Sequence, residues 1–216
     1  MTRVFLLMLG SLATVVFAAF ILVAVPRVAL PEAPANPTLP PVEPAESPLQ
    51  PYTAEQWRGR EVYVENGCFY CHSQQVRDPI ISNDVDRGWG RPSYPSDYIY
   101  DSPALLGTQR TGPDLINVGV RLPDPSWHLV HLYQPRALVP WSIMPAYPYL
   151  FEVKEDGATA EEAVKTPANL LPAGQKLVAT ADAKALVAYL LSLKRDFPPP
   201  ELKVEREKLR AKGQKK

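Results

Sequence analysis

Hydrophobic residues form one long run at the start of the chain. Val4 to Val25 contains no charged residue and would be about 33 Å long as a helix, at roughly 1.5 Å per residue. That length is enough to cross a bilayer. The alternative is a cleaved signal peptide, whose apolar region is about 7 to 15 residues and ends at a small-residue site. No such site follows Val25, so we predict a retained transmembrane anchor over residues 1–25.

Apolar periodicity is absent from the next segment, where prolines recur instead. The segment 26–51 contains nine prolines, with Ala, Glu and Val between them. Such a composition favours an extended, polyproline-like chain. We predict a spacer that either holds a domain off the membrane or lies along a partner.

Two later stretches have a helical pattern behind a capping residue. Ala54 to Glu65 follows Thr53, which forms a possible capping box with Gln56. Ala181 to Leu193 follows Thr180 and carries an apolar stripe made of Leu186, Tyr189, Leu190 and Leu193. Gly59 and Tyr63 lie one turn apart on the first helix, and a glycine there allows close approach of a second helix. We expect the two helices to pack together; the alternative is that they never meet.

The remaining segments predict one short helix and long loops. Ser126 to Gln134 is bounded by prolines and predicts a short helix. Residues 78–107 have no period but contain Trp89, Tyr98 and other aromatic residues, which indicates an ordered loop rather than a free linker. We interpret 151–171 as an insert and 198–216 as a charged, solvated tail without assigned function. The fold class is mainly α: one N-terminal transmembrane helix and a domain over 52–197 with long loops.

Composition limits the function classes. The chain has 216 residues and 25 prolines, which fits one folded unit with appendages. Lys plus Arg and Asp plus Glu both number 23, so charge gives no reason to expect a nucleic-acid partner.

The two cysteines of the chain lie in one short motif. Cys68 and Cys71 are separated by two residues, and His72 follows directly. This is the attachment sequence for c-type haem. Two thiols at this spacing can each add to a haem vinyl group, and the next residue supplies the proximal imidazole. A zinc site would need further ligands, and a redox dithiol would give no role to His72. We predict one covalently bound haem c.

A second axial ligand is expected on the other side of the iron. Met1 and Met8 belong to the membrane segment, which leaves Met144, followed by stiffening prolines at 145 and 148. We predict His72 and Met144 as the iron ligands. His128 and His131 remain alternatives for the sixth position, although histidines in such places are more often packing residues.

The stretch Arg110-Thr111-Gly112-Pro113-Asp114-Leu115 supplies two further candidates. A ligating histidine usually donates its other N–H to a carbonyl, and the Pro113 carbonyl is suited to accept it. Arg110 is a candidate partner for a haem propionate, because a guanidinium matches a carboxylate. An ordinary surface arginine is the alternative.

The order of these blocks resembles one family. They are the helix and its Cys-Phe-Tyr-Cys-His-Ser-Gln-Gln-Val-Arg block, Arg110 to Leu115, Trp127-His128 with His131, Pro135-Arg136, and Met144-Pro145-Ala146-Tyr147-Pro148. Together they resemble the membrane-anchored monohaem cytochrome c subunit, subunit II, of cbb3-type haem-copper oxidases. The resemblance implies a class I cytochrome c domain in the bacterial periplasm, carried by a single-pass anchor in the cytoplasmic membrane.

The resemblance also implies a role in aerobic respiration. The chain would relay single electrons from another c-type cytochrome subunit or a soluble donor to the membrane-embedded catalytic subunit, without catalysis of its own. The alternatives are a tethered cytochrome shuttle, the cytochrome subunit of a nitric oxide reductase, or an enzyme or gas sensor with an open iron position.

Overall fold

The computed structural model describes residues 2–25, 48–155, 159, 162–200 and 202. Contacts divide the chain into two compact units, Met1–Pro41 and Val42–Lys216. Most of the predicted spacer and most of the predicted tail lie outside the described residues.

The first unit is a helix. Helix α1 spans Thr2–Ala19 and continues as a π-helical turn over Phe20–Ala24. Arg3–Ala24 has a mean hydropathy of 2.6, and none of its hydrophobic window is buried within the structure. By length and composition this helix is able to cross a membrane. The predicted fold class, mainly helical with one N-terminal candidate membrane helix, is confirmed.

The second unit is organised around a pair of helices, α2 (Ala54–Glu65) and α5 (Ala181–Ser192). Thr53 and Gln56 form the predicted capping box, and the Thr180 side chain caps α5. A Cβ added at Gly59 would lie 1.9 Å from the Ala185 carbonyl oxygen, so only glycine permits this approach. The rings of Tyr63 and Tyr189 meet edge to face at 5.7 Å. The predicted packing of the two helices is confirmed.

Shorter elements complete the domain. Helix α3 spans Val118–Arg121 and helix α4 spans Pro125–Tyr133, close to the predicted 126–134. Among the described residues, 3-10 turns span Cys68–Tyr70, Pro95–Tyr98, Pro135–Ala137 and Pro148–Leu150.

The segment from residue 151 contains a strand that its pattern did not predict. Strand β1 (Phe151–Lys154) pairs antiparallel with β2 (Lys176–Ala179), with Phe151 opposite Ala179. Phe151 and Ala179 are both buried in the main core. Four alternating residues are too few to indicate a strand when their partner lies more than 20 positions away.

The loop 78–107 is ordered as predicted, and its order comes from a second small core. Trp89 is 8% exposed and belongs to a cluster with Val76 and Ile116. The Tyr98 hydroxyl donates to the Gln74 carbonyl at 2.7 Å. Both contacts tie the loop to the chain that follows the cysteine motif. Leu49 and Pro200, which lie just outside the predicted domain over 52–197, are also buried.

Candidate haem site

The cysteine motif forms a tight turn at the end of α2. The Asn66 side chain donates to the Val62 carbonyl at 2.7 Å, and Gly67 adopts a left-handed conformation with φ 68°. A left-handed glycine commonly ends a helix by reversing the chain direction. The following 3-10 turn is closed by a bond from the Cys71 N–H to the Cys68 carbonyl at 3.2 Å, and the His72 N–H donates to the same carbonyl at 3.0 Å. Cys68 and Cys71 do not form a disulfide with each other.

His72 is held by the predicted carbonyl. Its Nδ1 lies 2.7 Å from the Pro113 oxygen. Because a carbonyl can only accept, Nδ1 carries the proton and the lone pair is on Nε2. Burial lowers the pKa of His72, which also favours the neutral ring. The imidazole is therefore prepared to coordinate through Nε2.

Gly112 packs flat against the imidazole. A Cβ at this position would lie 2.3 Å from His72 Cε1 and 2.8 Å from both ring nitrogens. The Gly112 N–H also donates to the Cys71 carbonyl at 2.9 Å. A side chain here would push the ring out of place, so the turn from Thr111 to Pro113 fixes both the tautomer and the position of His72.

A cavity of about 480 Å³ opens beside this turn. Its wall contains Cys68, Cys71, His72, Pro113 and Met144. Most of the other lining residues are apolar: Leu115, Val118, Leu122, Trp127, Leu132, Val139, Trp141, Ile143, Pro145 and Leu190. The size and the apolar lining are typical of a cofactor site.

Met144 comes from a loop that α4 and its neighbours hold in place. The Met144 N–H donates to Ser142 Oγ at 3.2 Å, and Arg136 donates to the Ser142 carbonyl at 3.0 Å. Beyond the methionine, the Tyr147 N–H donates to the Leu132 carbonyl at 2.9 Å. The loop is thus attached on both sides of Met144.

The two histidines of α4 also line the cavity. His128 is 4% exposed, and its Nε2 lies 2.8 Å from the Leu122 carbonyl. His131 stacks on Trp127 with 14° between the rings and 4.7 Å between their centroids. Burial, with smaller effects from His72 and His128, lowers the pKa of His131 to about 4. Their role as alternative iron ligands stays an open prediction, although the Leu122 contact already occupies one nitrogen of His128.

Arg110 points elsewhere than predicted. Its guanidinium pairs with the Asp84 carboxylate at 2.5 Å, and its Nε donates to Ser73 Oγ at 2.8 Å. It is not among the residues that line the cavity. A contact with a haem propionate therefore stays a prediction, and the structure offers it no direct support.

Arg121 is the cation that the sequence reasoning missed. It lines the cavity, and its guanidinium donates to the Asp114 carbonyl. Its Nε is buried without a hydrogen-bond partner, and no carboxylate forms an ion pair with it within the described ranges. Nothing in the local sequence distinguishes it from Arg110, since its position depends on the packing of α3.

Comparison with known families decides the assignment. A family model described as "Cytochrome C oxidase, mono-heme subunit/FixO" matches residues 2–185. The chain belongs to this family. A search of curated proteins gave no match.

Family membership confirms the resemblance to the monohaem subunit of cbb3-type oxidases, and it implies a haem c cofactor and association with that oxidase complex. The residues present fit this cofactor. The cavity brings together two thiols, an imidazole with a free Nε2, and a thioether, and it includes a cation that lacks a carboxylate partner among the described residues. A carboxylate-bearing, largely apolar macrocycle matches that set of groups.

Proposed function

We propose that the chain binds one haem c through thioether bonds to Cys68 and Cys71, with His72 and Met144 as axial ligands. In this role it passes single electrons toward the catalytic subunit of a cbb3-type oxidase. The observation that carries the proposal is the His72–Pro113 contact beside a cavity that also contains both cysteines and Met144. When bound, the haem supplies an iron that alternates between the ferrous and ferric states.

The residues of the chain favour relay over catalysis. His72 and Met144 are on the wall of one cavity, so the chain itself would supply two residues to hold the iron. The apolar lining limits the access of water, which favours the less charged ferrous state. Arg121 is the group available to balance a propionate, because its guanidinium has no carboxylate partner among the described residues.

Helix α1 and the proposed cofactor both bear on where the haem domain lies. An unburied apolar helix of this length suits a single-pass anchor. We propose that the haem domain lies in the periplasm, where haem is joined to such motifs. An electron donor would then be another c-type cytochrome subunit or a soluble cytochrome.

The cysteines give the direct test of the cofactor. Haem should stay with the denatured wild-type chain, and Cys68→Ala with Cys71→Ala should release it. A colourless wild-type chain would overturn the proposal. Ser192→Ala serves as the control, because its hydroxyl donates within α5 at 2.7 Å and lies outside the cavity lining.

The sixth ligand and the partner need separate tests. Met144→His should lower the reduction potential while covalent haem remains, since a second imidazole favours ferric iron. An unchanged potential would mean that another residue binds the iron. Mild detergent extraction should recover the chain with a subunit that contains copper and b-type haem; recovery alone would argue for a tethered shuttle instead.

A further inference from the structure

Asp114 is a fully buried carboxylate directly behind the candidate proximal ligand. It is 0% exposed, and it forms no ion pair in the part of the chain that the structure describes. Three hydrogen bonds reach it instead. They come from Ser73 Oγ at 2.5 Å, the Gln75 N–H at 2.7 Å and the Ile116 N–H at 2.9 Å.

The direction of these bonds fixes the state of the carboxyl group. The two backbone N–H groups can only donate. The Ser73 hydroxyl accepts from Arg110 Nε, which can only donate, and its own proton donates to Asp114 Oδ2. Burial raises the pKa of Asp114, while these three hydrogen bonds oppose the increase. A group that accepts from every neighbour is an ionised carboxylate.

The same bonds join the two segments that hold the imidazole. Ser73 and Gln75 follow His72 in the chain, whereas Ile116 belongs to the turn that contains Pro113. Two backbone bonds run in parallel, from the Gly112 N–H to the Cys71 carbonyl at 2.9 Å and from the Leu115 N–H to the Ser73 carbonyl at 2.8 Å. Asp114 therefore clamps the Pro113 turn to the chain that carries His72.

We propose that Asp114 is a positioning residue, which acts through the Pro113 carbonyl on His72 Nδ1 and thereby lowers the reduction potential of the bound iron. This inference rests on the proposed function, because it needs an iron bound by His72. A firmly held Nδ1–H···O contact strengthens donation from the imidazole, and a nearby negative charge favours the ferric state. Both effects lower the reduction potential.

The direction in which the reduction potential changes when Asp114 is replaced distinguishes this role from a merely structural one. If Asp114 only stabilised the loops, its loss would loosen the cavity and admit water. Water around the haem stabilises the more highly charged ferric form, so the potential would fall. Loss of a positioning carboxylate should instead raise the potential.

The experiment uses the full chain, loaded with haem and extracted in detergent. Asp114→Asn should shift the midpoint potential upward, and the His72 Nδ1 proton of the ferrous protein should exchange with D2O roughly five- to tenfold faster by NMR. Asp114→Ala should likewise raise the midpoint potential and speed up the exchange of the Nδ1 proton. Asp101→Asn is the matched control: it removes another buried carboxylate, paired with Arg60 at 3.2 Å, and should leave both readouts unchanged.

Each outcome has a distinct meaning. A wild-type chain without covalent haem would defeat the proposed function itself. A haem-loaded wild type combined with an unchanged or lowered potential in Asp114→Asn would overturn this inference and leave the proposed function intact. An equal upward shift in Asp101→Asn would overturn it as well. If Asp114→Ala loses its haem, the midpoint potential and the proton exchange of Asp114→Asn alone decide whether the inference holds.

Discussion

The α2–α5 interface and the cavity beside α4 are packed in opposite ways. At the interface, Gly59 lets one helix reach the backbone of the other, and Tyr189 is 0% exposed. In the cavity wall, the Arg121 guanidinium has no carboxylate partner within the described ranges, and mostly apolar residues enclose a space of about 480 Å³. The interface is filled by side chains of the two helices, whereas the cavity has the size and the apolar lining of a cofactor site. Substitutions at the interface should therefore mainly change stability, whereas substitutions in the cavity wall should mainly change the haem spectrum.

The largest effect is expected at the interface. In an exposed helix, Gly→Ala would stabilise by about 0.8–1 kcal/mol through helix propensity. At Gly59 the new Cβ would overlap the Ala185 carbonyl, and a backbone oxygen cannot move aside easily. Gly59→Ala should therefore destabilise the domain rather than stabilise it, and its free energy of unfolding, measured with denaturant, should fall by about 2 kcal/mol or more.

Val64 provides the control on the same helix. It is 38% exposed, so Val64→Ala should change the free energy of unfolding by no more than about 0.5 kcal/mol. A stable Gly59→Ala variant would show that the two helices are farther apart than described.

A glycine substitution in the cavity should alter spectra more than stability. Gly112→Ala would place a Cβ 2.3 Å from the His72 ring and displace the imidazole. Under the proposed ligation by His72 and Met144, the ferrous wild type should not bind carbon monoxide, whereas ferrous Gly112→Ala should. Absorption spectra with and without carbon monoxide measure this. Ser192→Ala provides a control, since Ser192 lies outside the cavity lining and its replacement should leave the spectrum unchanged.

His131 should make stability depend on pH. Its pKa is lowered from 6.5 to about 4 in the folded chain, mainly by burial. Between these values the unfolded chain binds a proton that the folded chain does not, so stability should fall as the pH drops from 6.5 to 4. His131→Phe keeps a ring on Trp127 and should reduce this slope, as measured by unfolding at several pH values. An equal slope in both proteins would assign the acid sensitivity to other groups.

The smallest effect is expected where the charges are exposed. Arg58 binds Glu61, Glu65 and Asp182, but all four side chains are at least 40% exposed. Solvent and salt screen such pairs. Arg58→Gln should leave the denaturation midpoint close to that of the wild type, and added salt should remove any remaining difference. A large loss at high salt would show that the Arg58 stem packs against the core.

Local sequence signals determined the elements that depend on near neighbours. The bounds of α2, the capping box at Thr53 and the cap at Thr180 follow from residues within one turn of each other. The cysteine and histidine motif is equally local, since its spacing encodes its chemistry. The Pro113 carbonyl was predictable because His72 needs an acceptor and a proline turn supplies one.

Only the tertiary structure decided the contacts between distant segments. Arg110 precedes the Pro113 turn in sequence, yet its direction is set by Asp84, 26 positions earlier. Arg121 enters the cavity because α3 packs against α5, where a Cβ at Gly119 would lie 2.3 Å from the Leu191 carbonyl. Strand β1 exists because β2 pairs with it across a long excursion. Residues that are close in sequence determine the local backbone conformation. The direction of a charged side chain and the pairing of a short strand depend on partners that are distant in sequence, and only folding brings these partners near.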